Sequence, residues 1–202
     1  MAGSMGPLGK PNAPGGRISD NEITDIFQEQ AKALLEGEVD LVMLKTFSDI
    51  AELKLAVSAV RNSCQLPIIA SMTFNEEGKT FDGHSAAEAG HDINRLEAEI
   101  IGVNCGAGPQ NMADITKSLS QTSSKKLSIQ PSAGLPRYVD GSFIYPTFPE
   151  YFPECTKDCI IAGANIIGGC CVTTPEFIRS LSRMLKNSNS AATDTHGLMK
   201  QE

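Results

Sequence analysis

Six times along the chain, a short run of nearly unbroken apolar residues gives way to a longer segment whose apolar positions recur every three to four residues. The short runs are AGSM (2–5), VDLVMLKTF (39–47), LPIIASMTF (66–74), IIGVNC (100–105), LSIQPSAG (127–134) and NIIGGC (165–170). Each reads as a buried strand. The segments between them read as helices: 19–36, with Ile23, Phe27, Ala31 and Leu34 on one stripe; 48–62, with Ser48 as N-cap and Leu53, Val57 and Val60 on one face; 85–99; the residues after Pro109; 149–162; and 175 to about 186. Residues 135–148 form a longer loop. Continuously apolar strands alternating with amphipathic helices require a parallel sheet covered on both faces, because parallel strands need long crossovers that helices supply. The fold class is α/β, either a doubly wound sheet or a barrel.

At 202 residues the chain suits one domain with a substantial core. That domain is expected over 1–187, with the small, polar stretch 188–202 as a disordered tail or linker. A formal net charge of -7 lacks the basic footprint of nucleic-acid or anionic-membrane binding. The opening MAGSMGPLGK has neither the basic start nor the apolar core of a signal peptide, and no run approaches the ~18 apolar residues of a membrane span. A cytoplasmic location is expected. Six cysteines in such a chain read as reduced thiols or metal ligands, not as a disulfide framework.

Three of these cysteines close strands. Cys105 ends IIGVNC, and Cys170 with Cys171 follows NIIGG. In a parallel barrel all strand C-termini meet at one mouth, which is the active-site face. Neighbouring residues of a regular strand point to opposite faces, so Cys170 and Cys171 share a ligand only if the backbone leaves strand geometry, which Gly168 and Gly169 permit. Three thiolates with an open fourth position match a catalytic zinc site. Buried cysteines used as small hydrophobes fit the spacing equally well.

The blocks GVNCGAGPQNM (102–112), SAGLP (132–136) and IIGGCCVTTPEFI (166–178) resemble the signatures of the zinc-dependent homocysteine S-methyltransferases. AGSMGPLG, SMTFNEEGKTFDG and DGSFIYPTFPEYF look most like the methyltransferase portion of cobalamin-type methionine synthases and of bifunctional methyltransferase-reductases. The resemblance implies a (β/α)8 TIM-type barrel, here incomplete with the first two βα units missing, and one Zn2+ on Cys105, Cys170 and Cys171. It also implies transfer of a methyl group to the homocysteine thiol, giving methionine. The donor is a methylated folate acting through cobalamin, S-methylmethionine or betaine. Asn104, Lys45 and Thr46 fall at substrate-site positions. A missing N-terminal segment or a C-terminal partner domain is a further expected partner.

Two residues depart from the family pattern. Lys45 stands where the family places a glutamate facing the substrate ammonium; like charges about 4 Å apart repel by roughly 4 kcal/mol at an effective dielectric near 20. Lys45 then snorkels to solvent, binds the substrate carboxylate, or marks a substrate other than homocysteine. Val172 replaces a glycine, which strains the chain if that position has positive φ. The alternative function is a truncated or degenerate, non-catalytic zinc- or thiol-binding relative. A phosphate cradle at Gly106 and Gly108 is a weaker third reading. Cys155 and Cys159 share a helix face with Phe152 and read as core, Cys64 as structural, and His84 as a loop residue.

Overall fold

The computed structural model describes residues 1–9, 18–106, 108–134, 137–145 and 147–198. All six expected strands form: β1 (Ala2–Met5), β2 (Leu41–Phe47), β3 (Ile68–Met72), β4 (Ile100–Cys105), β5 (Lys126–Pro131) and, counting the hairpin strands β6 (Arg137–Val139) and β7 (Ser142–Ile144), β8 (Ile166–Ile167). The six lie in one parallel sheet in the order β1-β2-β3-β4-β5-β8. That order follows the chain without reversing. A doubly wound sheet reverses at a switch point, so the layout is that of a portion of a TIM-type barrel.

The helices are α1 (Asp20–Glu36), α2 (Ile50–Ser63), α3 (Ala86–Asn94), α4 (Met112–Thr122), α5 (Phe152–Ile161) and α6 (Pro175–Leu198). Ser19 and Ser85 start α1 and α3 through capping boxes closed by Glu22 and Glu88. Strand alternation sends Val42, Leu44, Ile68, Ala70, Met72, Ile101, Val103, Leu127 and Ile129 outward. There they share one buried cluster with Ile23, Phe27, Leu53, Val57, Ile93, Ile115 and Leu119 of the first four helices. At roughly 1.5–3 kcal/mol per fully buried large apolar side chain, this layer is the main source of stability. The opposite, concave face carries Met43, Lys45, Ser71, Asn104, Ser128 and Gln130, and the strand ends on this side build the site. A second cluster, with the Phe152 and Phe177 rings edge to face at 5.4 Å, seats α5 and α6.

Several boundaries differ from the sequence expectation. Asp49, not Ser48, caps α2: its carboxylate accepts from the Ala51 and Glu52 N–H groups, while the Ser48 carbonyl accepts from the Phe81 N–H. α3 stops at Asn94, where Arg95 and Leu96 donate to the Asp92 and Ile93 carbonyls in tighter turns. The expected 135–148 loop contains the β6–β7 hairpin, because Asp140 (φ 48°) and Gly141 (φ 81°) both adopt the positive φ of a type I′ turn. β8 is only two residues long. The backbone of α6 continues past Lys186 to Leu198; nothing from 187 to 196 breaks a helix, and extension is far less costly than nucleation. The α6 backbone thus runs through 188–198, where a disordered tail or linker is expected, and 199–202 lie outside the described residues, as do Ala107, Leu135, Pro136 and Pro146 of the family-like blocks. Among the described residues no helix is long and apolar enough to cross a membrane.

Candidate metal centre

Cys105, Cys170 and Cys171 converge. Their three sulfurs lie within 4.8 Å of one another, with Cys105 Sγ 3.4 Å from Cys171 Sγ. Cys105 and Cys170 are half-buried, Cys171 is exposed, and all three are free thiols. The parallel ladder supplies the first part of this placement: β4 pairs with β5 through Cys105 and Pro131, and the chain after β8 keeps to the β5 edge through Gly168 N–H to Ile129 O (3.0 Å) and Cys170 N–H to Pro131 O (2.9 Å).

Backbone distortion supplies the second part. Cys105 ends β4 at φ 61°, followed by Gly106 at φ 66°. After Cys170 the chain turns: Thr173 N–H donates to Cys170 O at 3.2 Å, the Thr173 hydroxyl donates to the same carbonyl at 2.6 Å, and Val172 sits at φ 64°. This turn lets two consecutive cysteines face one point, which regular strand alternation forbids. Gly169 is needed for it, since a Cβ there would lie 2.3 Å from Thr173 Oγ1. Positive φ in the third residue of such a turn is the conformation that favours glycine. Val172 therefore holds a strained conformation, 43% exposed.

Asn104, Thr46 and Lys45 gather beside the thiols. The Asn104 side chain is buried and accepts from Thr46 N–H at 2.7 Å; its amide donates to Thr46 Oγ1 at 2.7 Å and to Cys170 Sγ at 3.5 Å. Thr46 can meet Asn104 this way because β2 bulges: between the Leu44–Ala70 and Phe47–Met72 pairs it carries one more residue than β3, and Thr46 takes φ 68°. The hydrogen bond from Cys105, aided by the Asn104 amide and the Lys45 ammonium and opposed by burial, pulls the Cys170 thiol well below its ordinary range. The same bond, with burial, pushes Cys105 well above it. The cluster thus favours one thiolate at Cys170 steadied by a neighbouring S–H.

The donor set fits zinc. Thiolates are its preferred soft ligands, and at Zn–S distances near 2.3 Å the sulfurs of a tetrahedral site stand roughly 3.8 Å apart. A cleft of about 470 Å³ opens beside Cys105 and Gly106, between Ser48, Phe74 and the largely exposed Phe81. Sequence reasoning did not single out this cleft, because its wall is the 73–81 loop, whose position over β3 is set by tertiary bonds. Cys155 and Cys159 are buried on the inward face of α5, Cys64 ends α2 as its C-cap, and His84 sits in a loop beside Asp82. These positions match the expectation for them.

The family model described as homocysteine S-methyltransferase matches residues 1–185. The chain is 31% identical over 193 residues to the methionine synthase of Mycobacterium tuberculosis and 30% identical over 195 residues to that of Mycobacterium leprae. Those alignments take in 93% and 94% of this chain but only 16% of each relative's length. Among solved structures, the apo form of the Escherichia coli homocysteine methyltransferase MmuM superposes with a TM-score of 0.71 at 22% identity, covering 91% of this chain and 62% of that one. Its metallated form gives 0.67, also at 22% identity, covering 89% and 59%. At these identities the structural matches establish a shared fold.

Proposed function

The chain belongs to the homocysteine S-methyltransferase family, and from that premise we propose that it holds Zn2+ on Cys105, Cys170 and Cys171 and transfers a methyl group to the thiol of homocysteine, forming methionine. The observation that carries this reading is the meeting of three free thiols, from two distant strand ends, within 4.8 Å. When bound, zinc supplies Lewis acidity that favours the thiolate form of an acceptor thiol at neutral pH.

The remaining chemistry belongs to the chain's own groups. The Asn104 amide directs its N–H at Cys170 and accepts from the Thr46 N–H, so one side chain ties the β2 wall to the Cys170 sulfur. The cleft beside Cys105 gives a small methyl donor, such as S-methylmethionine or betaine, a place from which its methyl group reaches the sulfurs. A methylated folate acting through cobalamin would approach from the open mouth. In the transfer, an acceptor sulfur lone pair forms the new S–C bond, the donor's bond to that carbon breaks, and the leaving group keeps the electron pair. The acceptor proton goes to solvent. A reducing, cytoplasmic setting would keep the three thiols available.

Lys45 and the strained Val172 favour a second reading, a zinc- and thiol-binding relative without turnover. Zinc content and methionine formation from homocysteine, measured with S-methylmethionine, betaine and methylcobalamin in turn, separate the two. Stoichiometric zinc with turnover supports the enzyme; zinc without turnover on any donor supports the second reading. A chain that retains no zinc contradicts both.

A further inference from the structure

On the concave face of the sheet, β2 looks across to β5 and the chain that follows β8. Met43 Sδ receives the Gln130 amide at 3.8 Å, and Gln130 Cγ lies 3.4 Å from where a Cβ on Gly168 would be. Two residues further along, strand alternation presents Lys45 from β2, and the segment after β8, still held to β5 by Cys170 N–H on Pro131 O, presents Cys170. Thr46, next to Lys45, is tied through Asn104 to the Cys170 sulfur.

Lys45 is half-buried at this level and, among the described residues, forms no ion pair with a carboxylate. Among the described residues no carboxylate joins the sulfur cluster either. At this level Lys45 therefore offers a bound molecule a cation with no carboxylate of its own, while Glu76 and Lys79 line the adjoining cleft. An acceptor whose sulfur enters the cluster gains from a carboxylate beside Lys45, and gains nothing there from an ammonium.

We propose that Lys45 is the specificity-determining residue of the acceptor site, reading the carboxylate of the incoming thiol, so that the acceptor class is the mercaptocarboxylates, with homocysteine one member and its α-ammonium dispensable. This rests on the thiol-acceptor reading given above. It reverses the polarity expected of the family position, where a glutamate would read the ammonium.

Three thiols of matched length separate the charges: homocysteine, 4-mercaptobutanoate, which lacks the ammonium, and 3-aminopropane-1-thiol, which lacks the carboxylate. Their dissociation constants are measured by calorimetry on the zinc-loaded full chain, on Lys45→Met and on Lys45→Glu, with zinc content and circular dichroism recorded for each protein. The expected result is that 4-mercaptobutanoate binds within about threefold of homocysteine, and the aminothiol at least about tenfold more weakly, equivalent to about 1.4 kcal/mol. Lys45→Met should erase that difference and Lys45→Glu should invert it. Zinc retained and homocysteine bound, with 4-mercaptobutanoate at least about tenfold weaker or the order unchanged in Lys45→Glu, overturns this inference alone. Failure of every thiol to bind overturns the acceptor reading and this inference with it.

Discussion

Val172→Gly and Val172→Ala form a pair whose order of stability tests the turn that aims Cys170 and Cys171. Val172 sits at φ 64° and is 43% exposed. Both substitutions remove the same two γ-methyl groups of a half-exposed side chain, so their lost contacts largely cancel between the two variants. Alanine keeps the Cβ and with it the left-handed penalty of roughly 1–2 kcal/mol. Glycine removes that penalty and in exchange gains about 0.5–1 kcal/mol of unfolded-state entropy. At the middle of the two ranges the difference leaves the glycine variant more stable than the alanine variant by about 0.75 kcal/mol, the reverse of their order in a helix or strand. For a chain of this size that is a separation of a few degrees in Tm, since about 1 kcal/mol corresponds to roughly 2–4 °C. Urea denaturation of metal-free protein, with equal m values, measures it. An alanine variant as stable as the glycine variant, or more so, would refute the positive-φ turn, and with it the explanation of how adjacent cysteines share a focus.

Asn104→Ala should cost about 2–4 kcal/mol in denaturant unfolding, from two lost bonds of about 1 kcal/mol each and the penalty of stranding Thr46 N–H; a loss under about 1 kcal/mol would show that the Asn104–Thr46 link is not formed. Glu52 is buried in α2 and accepts from Leu8 N–H, and burial raises its pKa above the ordinary value of 4.5. A carboxyl whose folded pKa is raised contributes stability below its unfolded pKa that is lost as pH rises through the folded value. Glu52→Gln, which keeps the acceptor, should then match the parent below pH 4.5 and exceed it at pH 7; thermal melts across that range check the sign. Cys155→Ala should leave zinc content unchanged, as α5 buries that thiol away from the cluster; zinc loss in this variant would mean that the ligand set is wrong.

The sheet was legible because buried parallel strands are nearly all apolar, and runs such as LPIIASM admit few other readings. The convergence of Cys105 with Cys170 was legible too, since parallel strands bring their C-termini to one edge. What escaped the sequence was local backbone geometry. Ser48 and Asp49 are both good caps, and the choice between them falls to the Ser48 carbonyl, which the distant Phe81 N–H engages. The Asp140-Gly141 signal lay inside a stretch too short in apolar residues to read as strands. The bulge that frees Thr46 to bond Asn104 depends on pairing between β2 and β3, and no residue of LVMLKTF announces it. Lys45 could be flagged as a charge out of place, but its level with Cys170 required the register across the concave face.

The proposed zinc site rests on the three sulfurs. Metal analysis combined with zinc-edge X-ray absorption on the full chain, compared with Cys105→Ala, Cys170→Ala and Cys171→Ala, tests them together. The expected result is one zinc per chain with three protein sulfurs near 2.3 Å, and loss of most of that zinc in each variant. Zinc bound with fewer than three sulfurs, or retained at full stoichiometry after any one of the three substitutions, would contradict it.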